Sequence, residues 1–350
     1  MNLVRLRTAV GLLGLLMTSA CTVQPGEKNT VAFLMPDQGS TRYEERDFPA
    51  FKAEMTKLCP ECGVIYQNAN GDADLQQQQF SAAMIQGAKV IVLDPVDSSS
   101  AAALVTFARA QDVKVVAYDR PIPDTPADYY VSFDNEGLGY ALSKSLVDHM
   151  KASGVPEGSG VLQINGSPTD AAAALIRDGI HRGLKDSGYR TLAEFDTPDW
   201  KPTEAQQWAA GQITRFGSEI KGIVAANDGT GGGAVAALKA AGVNPLPPVT
   251  GNDAVIAALQ RIIAGDQYNT ISKPSEIVAA AAANVAMKLL KGETPEPKTT
   301  LYNTPSQLFI PAVVTRDNIK TEIFDRGILT PELVCTGEYA EACKALGILK

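Results

Sequence analysis

Histidine is nearly missing from this 350-residue chain, which has two. That leaves little material for histidine-based metal ligation or general-base chemistry. Basic residues are outnumbered too, 31 lysines and arginines against 39 aspartates and glutamates, for a formal charge of −8. A nucleic-acid surface needs a concentrated positive face, so that function class is set aside. The apolar stretch near the start, TAVGLLGLLM (8–17), is too short to span a bilayer, which takes about 20 residues. What is present is a globular composition, 45% apolar, on a chain long enough for two domains.

The first residues read as an export leader. MNLVRLR is a positive start, the apolar stretch follows, and TSAC (18–21) brings small residues up to Cys21. This resembles a bacterial lipobox, in which Cys21 is lipidated and becomes the new N-terminus. Thr18 departs from the usual leucine, so a soluble secreted form is the alternative. Residues 1–20 are taken as leader and 21–29 as a polar tether. Removing the leader takes Arg5 and Arg7 away and moves the charge from −8 to −10. An exported protein meets an oxidising compartment, which favours disulfides. Cys59 and Cys62 form a CxxC, and Cys335 and Cys343 are spaced C-x7-C. Four cysteines allow three pairings. The two local pairs are expected, with a four-thiolate zinc site as the sharper alternative and no metal site otherwise.

Short aliphatic runs then alternate with helical stretches. TVAFLM (30–35), GVIYQNA (63–69), KVIVLD (89–94) and VKVVAYD (113–119) are separated by helices near 43–58, 73–87 and 98–111. After YYVSFDNEG the rhythm restarts, with GVLQING (160–166), TLAEFD (191–196), GIVAAND (222–228) and PPVTGND (247–253) between helices. Near-continuous aliphatic strands at this spacing indicate parallel sheets covered on both faces. The fold class is therefore α/β, two doubly wound lobes with a cleft between the carboxyl ends of their strands. Thr203 and Gln206 are read as a capping box for one helix, and Asp228 as a cap for another.

The strand ends share a property. They finish in Asp119–Arg120, Asn227–Asp228, Asn252–Asp253 and Lys273, while Arg42–Tyr43 follows the first strand and Trp200 lies in the loop TPDWKP. Together these offer carboxylate acceptors, a forked guanidinium, two-way amides and an aromatic face. Sugars need that mixture, because hydroxyls donate and accept while C–H faces pack on rings. Taken singly, such an Asp is a common turn or cap residue; the weight comes from their agreement. GTGGGA (229–234) fits a dinucleotide pattern, but a tight turn and close helix packing explain its glycines as well, so no cofactor is expected. His149 and His181 lie in helical stretches beside charged residues with no matched Ser or Cys. No nucleophile with its base and no glycosidase carboxylate pair stands out, so an enzyme is not expected.

YQNANGD, KVVAYDRPI, YYVSFDNEGLG, GSPTDA, VAANDGTGGGA, VTGNDA and SKPSE carry a resemblance over residues 30–320. The chain resembles the type I periplasmic sugar-binding proteins of ABC importers, in particular the D-xylose-binding branch. The resemblance implies a two-lobed cleft that closes on one monosaccharide, with crossovers near 133–135, 272–275 and 303–307. It divides the chain into an N-terminal lobe, 30–133 plus 273–303, and a C-terminal lobe, 134–272 plus 304–350. The implied ligand contacts are Arg42, Asp119, Arg120, Trp200, Asn227, Asp253 and Lys273. One departure stands at Ala171 and Ala172, where the xylose pattern carries an asparagine pair; this puts xylose itself in question. The implied partners are permease subunits and, through the lipid anchor, the membrane, with the protein itself a monomer. A sensory receptor and a secreted enzyme on the same lobes are the alternatives.

Overall fold

The computed structural model describes residues 29–349. The expected leader, Cys21 as the expected lipidation residue and most of the expected tether lie outside the described residues. Among those described, no helix is long and apolar enough to cross a membrane.

The first lobe is built on β1 (Thr30–Met35), α1 (Phe48–Leu58), β2 (Gly63–Asn68), α2 (Ala73–Ile85), β3 (Ala88–Leu93), α3 (Ala101–Ala110), β4 (Lys114–Tyr118) and β5 (Tyr129–Phe133). The strands pair in parallel in the order β2-β1-β3-β4-β5. Phe33, Val90, Val92 and Val116 pack on Phe51 and Met55 of α1, while Leu34, Ile91 and Val115 pack on Phe80 of α2 and Val105 of α3. Both faces are covered, which is why these strands read as unbroken aliphatic runs rather than alternating ones.

The chain then crosses into the second lobe through α4 (Asn135–Ala152), followed by β6 (Gly160–Asn165), α5 (Ala171–Leu184), β7 (Arg190–Asp196), α6 (Pro202–Phe216), β8 (Ile220–Ala225), α7 (Asp228–Ala240), α8 (Ile256–Ala264) and β9 (Asn269–Ser272). A parallel β7-β6-β8 sheet has α4 and α5 on one face and α6 and α7 on the other. The expected strand 247–253 is reduced to one bridge, Val249 to Ile223. Pro247 and Pro248 carry no N–H to continue a ladder.

The chain crosses back to the first lobe after β9. After Ser272 the chain enters α9 (Ser275–Leu290), whose Val278, Ala282 and Ala286 join the first lobe's core. The third crossover does not fall at 303–307. β10 (Thr299–Leu301) and β11 (Thr304–Phe309) form a hairpin on the edge of the first sheet, with β11 parallel to β5. Tyr302 and Asn303 both take positive φ, 49° and 59°, as a two-residue hairpin turn requires. The crossing is at 310–311, after which β12 (Ala312–Thr315) pairs antiparallel with β9. Finally α10 (Pro331–Val334) and α11 (Ala340–Ala345) cover α8.

The cysteines pair locally at disulfide distance, Cys59 with Cys62 and Cys335 with Cys343. Cys59 belongs to the first lobe's core, whereas Cys335 and Cys343 join the cluster around α8. A single four-thiolate site is therefore ruled out by their separation.

Candidate functional site

The first lobe brings two arginines to the carboxyl ends of its strands. Arg42 stands before a wide helical turn, Tyr43–Asp47, and is 4% exposed. It donates to Asp47 Oδ2 at 2.5 Å and to Asp119 Oδ2, and its Nε lies 3.4 Å from Asp253 Oδ1 in the other lobe. Asp119 takes φ +57°, a left-handed turn just past β4, fixed by Tyr130 Oη and Ser132 Oγ donating to its carbonyl at 2.7 and 2.8 Å. Its carboxylate also accepts from Tyr43 Oη at 3.1 Å. Burial pushes the Asp119 pKa up, but the charges of Arg42, Lys273 and Arg120 outweigh it and hold the carboxyl well below the usual range.

Arg120 is enclosed by oxygen. Its Nη1 donates to Pro95 O at 3.1 Å and its Nη2 to Asp37 Oδ2 at 2.6 Å, while Nε lies 3.5 Å from Asp94 Oδ1 and 3.2 Å from Asp170 Oδ2. Asp170 belongs to the second lobe, so this pair bridges the cleft. Burial raises the carboxyls of Asp94 and Asp170 despite Arg120.

Asp170 caps α5 by accepting from the Ala172 N–H at 2.7 Å and also accepts from Trp200 Nε1 at 3.0 Å. Asp199 and Trp200 both take left-handed φ, 52° and 56°, which turns the indole inward. A Cβ on Gly166 would sit 2.0 Å from Trp200 Cζ2, so only glycine lets the ring lie there. Asn227 caps α7, its Oδ1 accepting from the Thr230 N–H at 2.8 Å while Thr230 Oγ1 accepts from the Asn227 N–H at 3.3 Å. The capping box therefore lies here. At the expected one, α6 begins at Pro202 with no side-chain cap from Lys201, its N-cap residue. Asp253, at φ +104°, meets Lys273 Nζ at 2.8 Å.

The seven residues implied by the resemblance, Arg42, Asp119, Arg120, Trp200, Asn227, Asp253 and Lys273, line one cleft between the lobes. The space amounts to about 400 Å³, counted out to its mouth. The lobes are closed, with the Ser98 N–H donating to Thr169 O at 2.9 Å and the Ala171 N–H to Ser98 Oγ at 3.1 Å. Five lining residues were missed: Asp37, Ser40, Asn135, Asp170 and Ile176. Asp37 obeys the strand-end rule after β1, whereas Asp170 lies past the end of β6 as the N-cap residue of α5. Asn252, named at a strand end but left out of the contact set, also lines the cleft, 2% exposed, and its Oδ1 has no hydrogen-bond partner among the described residues. Asp228 is not the cap. It lies inside α7, accepting from Gln267 Nε2, Thr270 Oγ1 and the Val255 N–H at 2.9, 3.0 and 3.1 Å.

The glycine motif 229–234 falls within α7 and serves packing. A Cβ on Gly231 would lie 2.6 Å from Thr250 O and one on Gly233 2.4 Å from Pro202 O. The lining thus presents four carboxylates, three cations, three amides and an indole, nearly all buried. Such a wall can replace water around a polyhydroxylated ring, with acceptors and donors side by side.

The chain belongs to the family of periplasmic binding protein domains, whose model matches residues 31–294. It is 36% identical over 272 residues to the D-xylose-binding periplasmic protein of Escherichia coli, covering 75% of this chain and 81% of that one. It is 28% identical to the multiple sugar-binding periplasmic receptor ChvE of Rhizobium radiobacter, covering 86% and 91%. A carbohydrate transporter solute-binding protein from Chloroflexus aurantiacus, solved with D-glucose, superposes with TM-score 0.79 at 26% identity, covering 87% of this chain and 97% of the other.

Proposed function

We propose that this chain is the extracytoplasmic binding protein of a sugar ABC importer, taking one monosaccharide between its lobes. The observation that carries the reading is the convergence of Arg42, Asp119 and Arg120 from the first lobe, Trp200, Asn227 and Asp253 from the second, and Lys273 at the crossover. No bond is made or broken: these groups supply geometry, and the ligand favours the closed form because it touches both lobes at once. The permease then recognises that form. The relatives named for binding D-xylose or multiple sugars, and the D-glucose in the Chloroflexus protein, support a pentose or hexose. Cys21 as lipid anchor, the tether at 21–29 and a monomeric state complete the reading.

A signalling role for the same closed form is the second reading, favoured by the word receptor in the name of the Rhizobium relative. A thermal-shift screen of the protein from Cys21 onward, against aldopentoses, aldohexoses and disaccharides, tests the binding claim. A ligand that binds only the folded state raises its apparent stability. One or a few monosaccharides are expected to raise the melting temperature and be recovered unchanged. A chemically altered sugar would point instead to an enzyme.

A further inference from the structure

One wall of the cleft offers a sugar no hydrogen bond. Ala172 and Ile176 stand one turn apart on α5, and both line the cleft, 6% and 3% exposed. Trp200 also lines it and shares an apolar cluster with Ile176. The polar atoms at this corner are already engaged. The Ala171 N–H donates to Ser98 Oγ at 3.1 Å, the Ala172 N–H to Asp170 Oδ1 at 2.7 Å, and Trp200 Nε1 to Asp170 Oδ2 at 3.0 Å. The rest of the lining is rich in acceptors and donors, Asp119, Asp253, Asn227, Asn252 and Lys273 among them. A hydroxyl held against Ala172 and Ile176 would lose its water and gain no partner, whereas a methylene or methyl there gains apolar burial.

We infer that the ligand is a deoxy sugar, with its hydroxyl-free position turned to Ala172, Ile176 and Trp200. The inference rests on the sugar-binding reading above and narrows it. A site that hydrogen-bonds every hydroxyl rejects each deoxy analogue strongly, because its own polar groups are left unpaired. This cleft rejects them at the polar positions and accepts one at the apolar wall.

The test is calorimetric titration of D-xylose, D-glucose, D-galactose and the monodeoxy analogues of each into the wild type and Ala172→Ser. For one ring position the deoxy analogue is expected to bind at least as tightly as its parent, and about tenfold or more tighter than the other deoxy analogues. Ala172→Ser places a hydroxyl on that wall and is expected to shift the ratio at that position toward the parent by about fivefold, leaving the others within about twofold. The inference is overturned if every deoxy analogue binds more weakly than its parent, or if the tolerant position is unmoved by Ala172→Ser. If no parent or deoxy sugar binds, the sugar-binding reading itself fails, and the inference falls with it.

Discussion

Arg120 in the first lobe and Asp170 in the second stand 3.2 Å apart, Nε to Oδ2, across the closed cleft. The same guanidinium holds Asp37 and lies 3.5 Å from the buried Asp94, so one cation serves three carboxylates. Removing it with Arg120→Ala leaves them without that cation in a site with little water, at a cost of about 3–5 kcal/mol. Urea denaturation should show that loss. Arg120→Lys keeps the charge but not the fork. It should fold and bind sugar at least about tenfold more weakly, and unchanged affinity would remove Arg120 from the site.

Gly166 fixes Trp200, because a methyl at position 166 would collide with the indole at 2.0 Å. Gly166→Ala should push the ring out toward solvent. Tryptophan emission should shift to the red, with Trp208, the chain's other tryptophan, as a constant background. Sugar affinity should fall by about tenfold or more, given what a well-packed aromatic contact contributes. An unshifted spectrum would show that the ring does not rest on Gly166.

Asp228 gives the fold a pH dependence. Burial, with Asp253 nearby, pushes its pKa from 3.8 up to about 7 against the opposing effects of Arg261, Gln267 and Thr270. A group raised in the folded state stabilises fully below its unfolded pKa and loses that contribution as pH climbs through the folded one. Unfolding free energy should therefore fall between about pH 4 and pH 7, at up to about 1.4 kcal/mol per pH unit for one proton. Asp228→Asn should flatten that slope, whatever it does to absolute stability. Equal slopes in both proteins would contradict the account. Asp119 has the opposite sign: its contribution is present above the usual carboxylate range and is lost as pH falls through its lowered folded value.

The Cys335–Cys343 pair ties the C-terminal segment over α8. Replacing both with serine should cost about 2 kcal/mol in denaturation and leave sugar affinity intact, since neither residue lines the cleft. A loss of affinity would show that the segment reaches the site through α8.

Much of this was legible because parallel strands covered on both faces must be aliphatic throughout, so a polar residue at their end stands out. Asp119, Arg120, Asn227, Asp253 and Lys273 were found that way. Asp170 was not, because a carboxylate capping a helix looks the same in sequence whether or not an arginine from another lobe reaches it. The β10–β11 hairpin was missed for a different reason. Pro305 stands near the start of β11, ahead of its pairing with β5 at Ser306, and the run around it is polar, which erases the aliphatic signal a central strand carries. Nor could spacing show that Asn227, rather than Asp228, caps α7, since adjacent acceptors compete for the same N–H groups.

The most direct measurement is a crystal structure of the protein with whichever sugar stabilises it best in the thermal screen. One ring should lie against Trp200, with hydroxyls on Asp119, Asn227, Asp253 and Lys273 and its least polar face toward Ala172. Sugar density elsewhere, such as in the trough beside Arg261 or the groove between α2 and α3, would contradict it.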